Sequence, residues 1–160
     1  MENSSEIRDY LEESLQLCRI HIERMGFAWD QVKKHFPINT TKYHQLLPEE
    51  LSFIDQLIFR FSKLQDTMGV RLFPSLLSYL GEDIQGKPFI DQLTKLEELS
   101  VIPSSNEWLL LRETRNIVIH EYPFNAEEVI DGLNLLSKHY ILLINIWNQV
   151  ESYIKNRINH

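Results

Sequence analysis

Apolar residues near the start of the chain recur at steps of three or four, which is the spacing of one face of an α-helix. This stripe comprises Ile7, Leu11, Leu15, Cys18, Ile22, Met25, Trp29, Val32 and Phe36. Ser4 or Ser5 can cap the start of the predicted helix, and Pro37 ends it. A helix this long with one apolar face has to bury that face against other elements. The feature therefore favours a fold built by packing helix on helix.

The same spacing, together with capping signals, predicts further helices along the chain. They run from Pro48 to Leu80 with either a kink or the start of a new segment at Pro74, from Phe89 to Leu99, from about Ser104 to Glu121, and onward from a cap at Asn125. The polar segment from Ile38 to Leu47 is predicted to be a loop. The sequence has no alternating strand pattern, so we predict an all-α fold. Its architecture is an up-and-down four-helix bundle with an additional short helix.

The composition indicates one globular domain that spans residues 1–160. Hydrophobic residues make up 43% of the chain and charged residues 24%, which is ordinary for such a domain. No stretch reaches the roughly 18 apolar residues of a membrane span, and the start lacks a secretory signal. We therefore expect a cytoplasmic protein that does not enter a membrane. The single cysteine, Cys18, excludes an internal disulfide, and the absence of metal-ligand spacing predicts neither metal nor cofactor.

The net charge of −7 argues against an extended nucleic-acid surface. Proteins that bind nucleic acid usually carry a basic patch, because neutralisation of phosphates dominates their affinity. This sequence has only a weakly basic end, at Lys155 and Arg157. Any chemistry on nucleic acid must therefore depend on a small local site.

The predicted helix before Pro123 carries polar groups among apolar residues that surround it almost completely. Arg112, Asn116 and His120 have the spacing i, i+4, i+8, so they lie along one narrow face, and Arg115 lies beside that face. The apolar surroundings predict a largely buried helix. Buried cations are costly unless they find partners. The polar residues therefore form either a structural network inside the bundle or a functional site.

The residues of this helix resemble a known family. The string Arg115-Asn116-Ile117-Val118-Ile119-His120-Glu121-Tyr122 is similar to the Arg-x4-His-x-Tyr signature of HEPN proteins, specifically of the HepT-like toxins. The segments from Phe61 to Pro74 and from Glu107 to Glu113 also resemble the corresponding parts of HEPN proteins. The resemblance covers residues 51–123. HepT-like toxins are encoded beside MNT-type nucleotidyltransferase antitoxins.

The resemblance implies a metal-independent toxin-type endoribonuclease whose two motifs face each other across a homodimer. His120 would move protons, because histidine titrates near neutral pH. Arg115 would stabilise charge on the phosphorane, Asn116 would orient the imidazole or contact phosphate, and Arg112 would support them. Cleavage of RNA would leave a 2′,3′-cyclic phosphate. Tyr122 would be the residue to which the antitoxin attaches AMP.

Other residues leave alternatives open. Apolar residues outside the main stripes also point to a homodimer: Phe53, Phe59, Leu135, Ile141 and Leu142. Asp66 and Arg71 either pair inside the bundle or shape a pocket at the motif. The alternative function is a non-catalytic substrate-binding partner of a small nucleotidyltransferase, which a similar four-helix fold would also serve. A dimeric helical scaffold without a ligand is the third possibility.

Overall fold

The computed structural model of the chain describes residues 3–119 and 125–158. Within these ranges the chain is helical and contains no β-strand, so the all-α prediction is confirmed. The α-helices of these ranges are α1 Ser4–Val32, α2 Thr40–Gln45, α3 Pro48–Thr67, α4 Phe73–Tyr79, α5 Phe89–Glu98, α6 Ser105–Val118 and α7 Ala126–Ile158. A turn of 3-10 helix, Lys33–His35, extends α1. A π-helical segment, Met68–Leu72, joins α3 to α4 without a break.

The four long helical segments are α1, the continuous α3–α4 segment, α6 and α7, and each runs antiparallel to its neighbours. At each interface the contacting pairs run in opposite chain directions: Tyr10–Arg71 and Phe27–Phe53; Asp66–Arg115 and Phe73–Trp108; Thr114–His139 and Ile117–Gly132; Arg19–Glu151 and Trp29–Tyr140. These interfaces close a ring in which α1 contacts both α3 and α7. The predicted up-and-down four-helix bundle is confirmed, with α5 as the additional short helix.

The apolar stripe of α1 faces the centre of this ring. Leu11, Cys18, Met25 and Val32 are fully buried, and Leu15 is 5% exposed. The remaining stripe positions are partly buried: Ile7, Ile22, Trp29 and Phe36. Burial raises the pKa of the Cys18 thiol to about 12, so the thiol stays protonated and contributes as a small core residue. Among the described residues, no helix combines the length and the apolar character needed to cross a membrane.

Two local predictions are wrong. Neither of the two predicted serines caps α1; Asn3 does, and its side chain accepts a backbone N–H of the first turn. The segment from Ile38 to Leu47 is not a loop throughout, because it contains α2. Asn39 caps α2 by accepting the N–H of Lys42 at 2.8 Å, which satisfies one donor that the helix start would otherwise leave unpaired. A helix of six residues is too short to show an apolar stripe in the sequence.

Asn134 of α7 anchors the chain between the 3-10 turn and α2. Its Oδ1 accepts the backbone N–H of Ile38 at 2.7 Å, and its Nδ2 donates to the carbonyl of Ile38 at 2.8 Å. Ile38 is only 3% exposed, so water has little access to its backbone groups. One side chain thus pairs two buried polar groups that lie far away in the sequence.

We predict that Asn134→Ala lowers the free energy of unfolding by about 2–4 kcal/mol, because it leaves two buried backbone groups without partners at about 1–3 kcal/mol each. Urea denaturation measures this loss. The matched control is Asn145→Ala, on the exposed side of the same helix, which should change stability by less than about 0.5 kcal/mol. Equal effects of the two substitutions would contradict the anchoring role of Asn134.

Candidate functional site

Helix α6 carries the described part of the motif. It begins as predicted, with the Ser104 hydroxyl accepting the N–H of Glu107 at 3.2 Å. It ends at Val118, and the N–H of Ile119 closes the last turn on the carbonyl of Arg115. Arg112, Arg115 and Asn116 therefore lie in the final turns of α6. His120 and Tyr122 lie outside the described residues.

The prediction that this helix is largely buried is wrong. Only one narrow stripe of α6 enters the core: Trp108, Leu111 and Thr114 are buried. The apolar residues on its other sides are between 38% and 47% exposed: Leu109, Leu110, Ile117 and Ile119. α6 packs against α7, α3 and α5, and these contacts leave its remaining sides open to solvent.

The predicted residues of α6 line an open cavity of about 380 Å³. Its walls come from the end of α3, the π-helical segment, the first residue of α5, and α6. They comprise Gln65, Asp66, Gly69, Val70, Phe89, Trp108, Arg112, Arg115 and Asn116. This volume falls within the range of roughly 300–1,000 Å³ that is usual for small-molecule sites. The structure thus brings Arg112, Arg115 and Asn116 together at one cavity.

Arg115 is held at the cavity by a partner on α3. Its Nη2 donates to Oδ2 of Asp66 at 3.0 Å, and its Nη1 donates to Oδ1 of Asn116 at 3.2 Å. Its Nε is buried and has no hydrogen-bond partner among the described residues. Helical geometry alone puts Arg115 to the side of the face that carries Arg112 and Asn116. The contact with Asp66 is what turns the guanidinium towards the same cavity.

Asp66 therefore shapes the motif pocket, which was one of its two predicted roles. Arg71 does not share this role. Its guanidinium points towards α1, where it lies over the Tyr10 ring, donates to the Tyr10 hydroxyl at 3.2 Å and pairs with Glu13 at 3.4 Å.

Aromatic side chains form much of the apolar wall. The guanidinium carbon of Arg112 lies 5.3 Å from the centroid of the Phe89 ring, within the range of a cation–π contact. The indole of Trp108 is buried and packs edge-on against Phe73, with the ring centroids 4.8 Å apart. The cavity thus combines aromatic surface with two cationic groups.

Two residues of this site were missed in the sequence. Gln65 is 4% exposed, and neither polar atom of its amide has a hydrogen-bond partner among the described residues. Gly69 lies in the π-helical segment, where a Cβ would come within 3.6 Å of Phe89 and 3.7 Å of Trp108. The available signals were a glutamine between the apolar positions Phe61 and Met68 and a glycine inside a helical run. π-helical segments are often found at functional sites.

The opposite side of α6 is fixed to α7. The Thr114 hydroxyl lies 2.6 Å from Nδ1 of His139, and burial together with the charge of Lys138 lowers the pKa of His139. The Thr114 hydroxyl donates its one proton to the carbonyl of Leu110 at 3.2 Å, so its oxygen can accept the hydrogen bond of an Nδ1–H on the neutral imidazole. Ile117 closely approaches Gly132, where a Cβ would lie 3.4 Å from its side chain. The end of α6 is therefore held between Asp66 on one side and α7 on the other.

The described part of the site can bind an anion. It offers two guanidinium groups and two amides against a single carboxylate, and arginine's planar set of donors matches the oxygens of a phosphate group. Residues 3–119 and 125–158 contain no group of three or more His, Cys, Asp or Glu side chains that could hold a metal ion.

No protein-family model, no curated protein and no solved structure matches this chain. The similarity of the motif to the HEPN signature therefore stays a prediction. The function has to be argued from the residues and the geometry of the site itself.

Proposed function

We propose that this chain is a cytoplasmic, metal-independent endoribonuclease of the toxin type, similar to the HepT-like HEPN proteins. One observation carries the proposal: Arg112, Arg115 and Asn116 line one open cavity, and the chain that leaves their helix leads directly to His120. A phosphate bound by these groups would lie near a histidine that can transfer protons. The type of reaction is inferred from the resemblance of the motif to the HEPN signature.

The proposed cleavage uses the ribose of the substrate as the nucleophile. The 2′-oxygen attacks the adjacent phosphorus and loses its proton, and the bond from phosphorus to the 5′-oxygen breaks as that oxygen gains a proton. The products are a 2′,3′-cyclic phosphate and a free 5′-hydroxyl. His120 serves one of the two proton transfers. Arg115 stabilises the negative charge that develops on the phosphorane, and Asn116 orients the imidazole or the phosphate.

The local charge of the site supports this assignment better than the overall charge does. The chain has a net charge of −7, but the cavity has two arginines and one aspartate. Asp66 neutralises only one of the two cations, because it pairs with Arg115 and not with Arg112. The donors of Arg115 that do not contact Asp66 or Asn116 remain for a phosphate group. Binding at such a site involves few phosphates, so it should depend only weakly on salt concentration.

We also propose that the protein works as a homodimer with α6 at or near the interface. Leu109, Leu110, Ile117 and Ile119 of α6 are exposed, and Val70 on the cavity wall is 74% exposed. Large exposed apolar surface on a small protein commonly marks an interaction site. Two of the residues expected at an interface, Phe59 and Ile141, are also exposed, at 48% and 59%.

We predict that His120→Ala reduces the rate of RNA cleavage by about 10²–10⁴-fold, which is the usual contribution of a general acid or base. Arg115→Ala should reduce it by about 10²–10³-fold, because a donor to the developing charge is lost. EDTA should leave the wild-type rate unchanged. The assay follows a defined oligoribonucleotide and identifies the cyclic phosphate at the new end.

The matched control for this assay is His44→Ala, which removes an exposed imidazole on α2. It should cleave RNA at the wild-type rate. Equal cleavage by wild type and His120→Ala in EDTA, or no cleavage by either protein, would show that the proposed function is wrong.

The second candidate is a non-catalytic substrate-binding partner of a small nucleotidyltransferase. The cavity itself favours it, since the buried Gln65 amide, which has no partner in the described part of the chain, and an Arg115 already paired with Asp66 suit the holding of a small polar molecule. Induction of wild type and His120→Ala in cells separates the two functions. The ribonuclease predicts that only the wild type arrests growth and degrades RNA, and the binding partner predicts harmless expression of both.

We further propose that Tyr122 is adenylylated by an MNT-type nucleotidyltransferase antitoxin. The phenol oxygen would attack the α-phosphorus of ATP, and the bond to the departing pyrophosphate would break. The product carries a bulky anion two residues from His120, which would block the site by charge and volume. Incubation with the antitoxin and ATP should add one adenylyl group to the peptide that contains Tyr122, as mapped by mass spectrometry. Tyr122→Phe should abolish this modification and Tyr153→Phe should not; an unmodified Tyr122 would refute the proposal.

A further inference from the structure

The buried amide of Gln65 is the least explained polar group of the cavity. The side chain is 4% exposed, and neither Nε2 nor Oε1 has a hydrogen-bond partner among the described residues. Buried polar groups in proteins are nearly always paired, and those that are not call for a specific explanation. Gln65 lines the cavity, so turning its amide towards a bound group would satisfy both atoms at once.

The walls around Gln65 suit a flat, aromatic ligand. A Cβ at Gly69 would lie 3.6 Å from the Phe89 ring and 3.7 Å from the Trp108 ring, so a side chain there would enter the space next to both rings. Aromatic surfaces stack on nucleobases of any type, whereas hydrogen bonds to the base edge distinguish one base from another. The cavity thus offers surface for stacking and, at Gln65, an amide for recognition.

The donor and the acceptor of Gln65 lie side by side on one planar group. Adenine presents the complementary pair, an amino donor at N6 and an acceptor at N7, and glutamine commonly binds it through both atoms. Arg112 and Arg115 at the same cavity are placed to bind the phosphate of the same nucleotide. The Gln65 amide therefore complements the edge of adenine, and the two arginines complement the phosphate of the same nucleotide.

We propose that this cavity is a base-binding subsite that selects adenine, so that the protein cleaves RNA next to adenosine. The inference rests on the proposed ribonuclease function and names the substrate preference of that site. Gln65 is the residue that determines the preference. Phe89 provides the stacking surface, and Gly69 keeps the space open.

Equilibrium binding of mononucleotides to the full chain tests the proposal without any cleavage step. Isothermal titration calorimetry would compare adenosine 3′-monophosphate with the 3′-monophosphates of guanosine, cytidine and uridine. We expect the adenosine compound to bind most tightly. Gln65→Met keeps the length of the side chain and removes the amide, so it should weaken this binding about 10- to 100-fold, in line with one bidentate base contact.

Gln65→Met should also fold normally, because it replaces a buried amide that has no partner within residues 3–119 and 125–158 by an apolar group of similar shape. Thermal unfolding checks this, and an unchanged or higher Tm is the expected result. Gly69→Leu is a second variant, which fills the cavity from a position one turn after Gln65 and should also abolish binding. The matched control is Gln92→Met. Gln92 has a buried Oε1 without a partner among the described residues, but it lines a different cavity, so its replacement should leave binding unchanged.

Several results would overturn the subsite. They are equal binding of all four nucleotides, tighter binding of another base, or wild-type affinity in folded Gln65→Met. Failure of the subsite and failure of the ribonuclease are distinguishable. A chain that binds the adenosine compound but does not cleave RNA overturns the ribonuclease alone. A chain that cleaves RNA without base preference and does not bind the adenosine compound overturns the subsite alone.

Discussion

The ion pair between Asp66 and Arg115 is the contact on which the candidate site depends. It joins the last turn of α3 to the last turns of α6, with 3.0 Å between the two charged groups. Both side chains are partly exposed, at 44% and 27%, so the pair should contribute no more than about 1 kcal/mol to stability. The apolar core holds the bundle together. The ion pair sets the direction of one guanidinium and thereby gathers the cations of α6 at one cavity.

The cavity is formed by the segments that pack against α6 as well as by α6 itself. The π-helical segment keeps Gly69 against Phe89 and Trp108, where a larger residue would fill the space. On the other side, the contact between Thr114 and His139 fixes α6 on α7. The site therefore includes parts of the chain far from the motif. Those parts would be overlooked if the motif were considered alone.

Much of the fold could be predicted from sequence because helix periodicity and capping are local properties. The stripe of α1, the burial of Cys18 and the cap at Ser104 all depend on residues close in sequence. The exposure of α6 could not be predicted, because apolar residues on all sides do not tell how many neighbours a helix has. The direction of Arg115 depends on a carboxylate 49 positions away, which no helical projection contains. Gln65 and Gly69 were missed because their role also depends on residues distant in the sequence. The roles of His120 and Tyr122 are assigned from the sequence and its resemblance to HEPN proteins.

The most direct test of the account is to observe which arginines contact RNA. Two-dimensional NMR of the side-chain Nε–H groups would follow a titration with an oligoribonucleotide made uncleavable by 2′-deoxy substitution, with each signal assigned from its Arg→Lys variant. The signals of Arg112 and Arg115 should shift and saturate together, while that of Arg157, at the far end of α7, should not move. Shifts confined to Arg157 and other distant arginines, with Arg112 and Arg115 unchanged, would contradict this prediction.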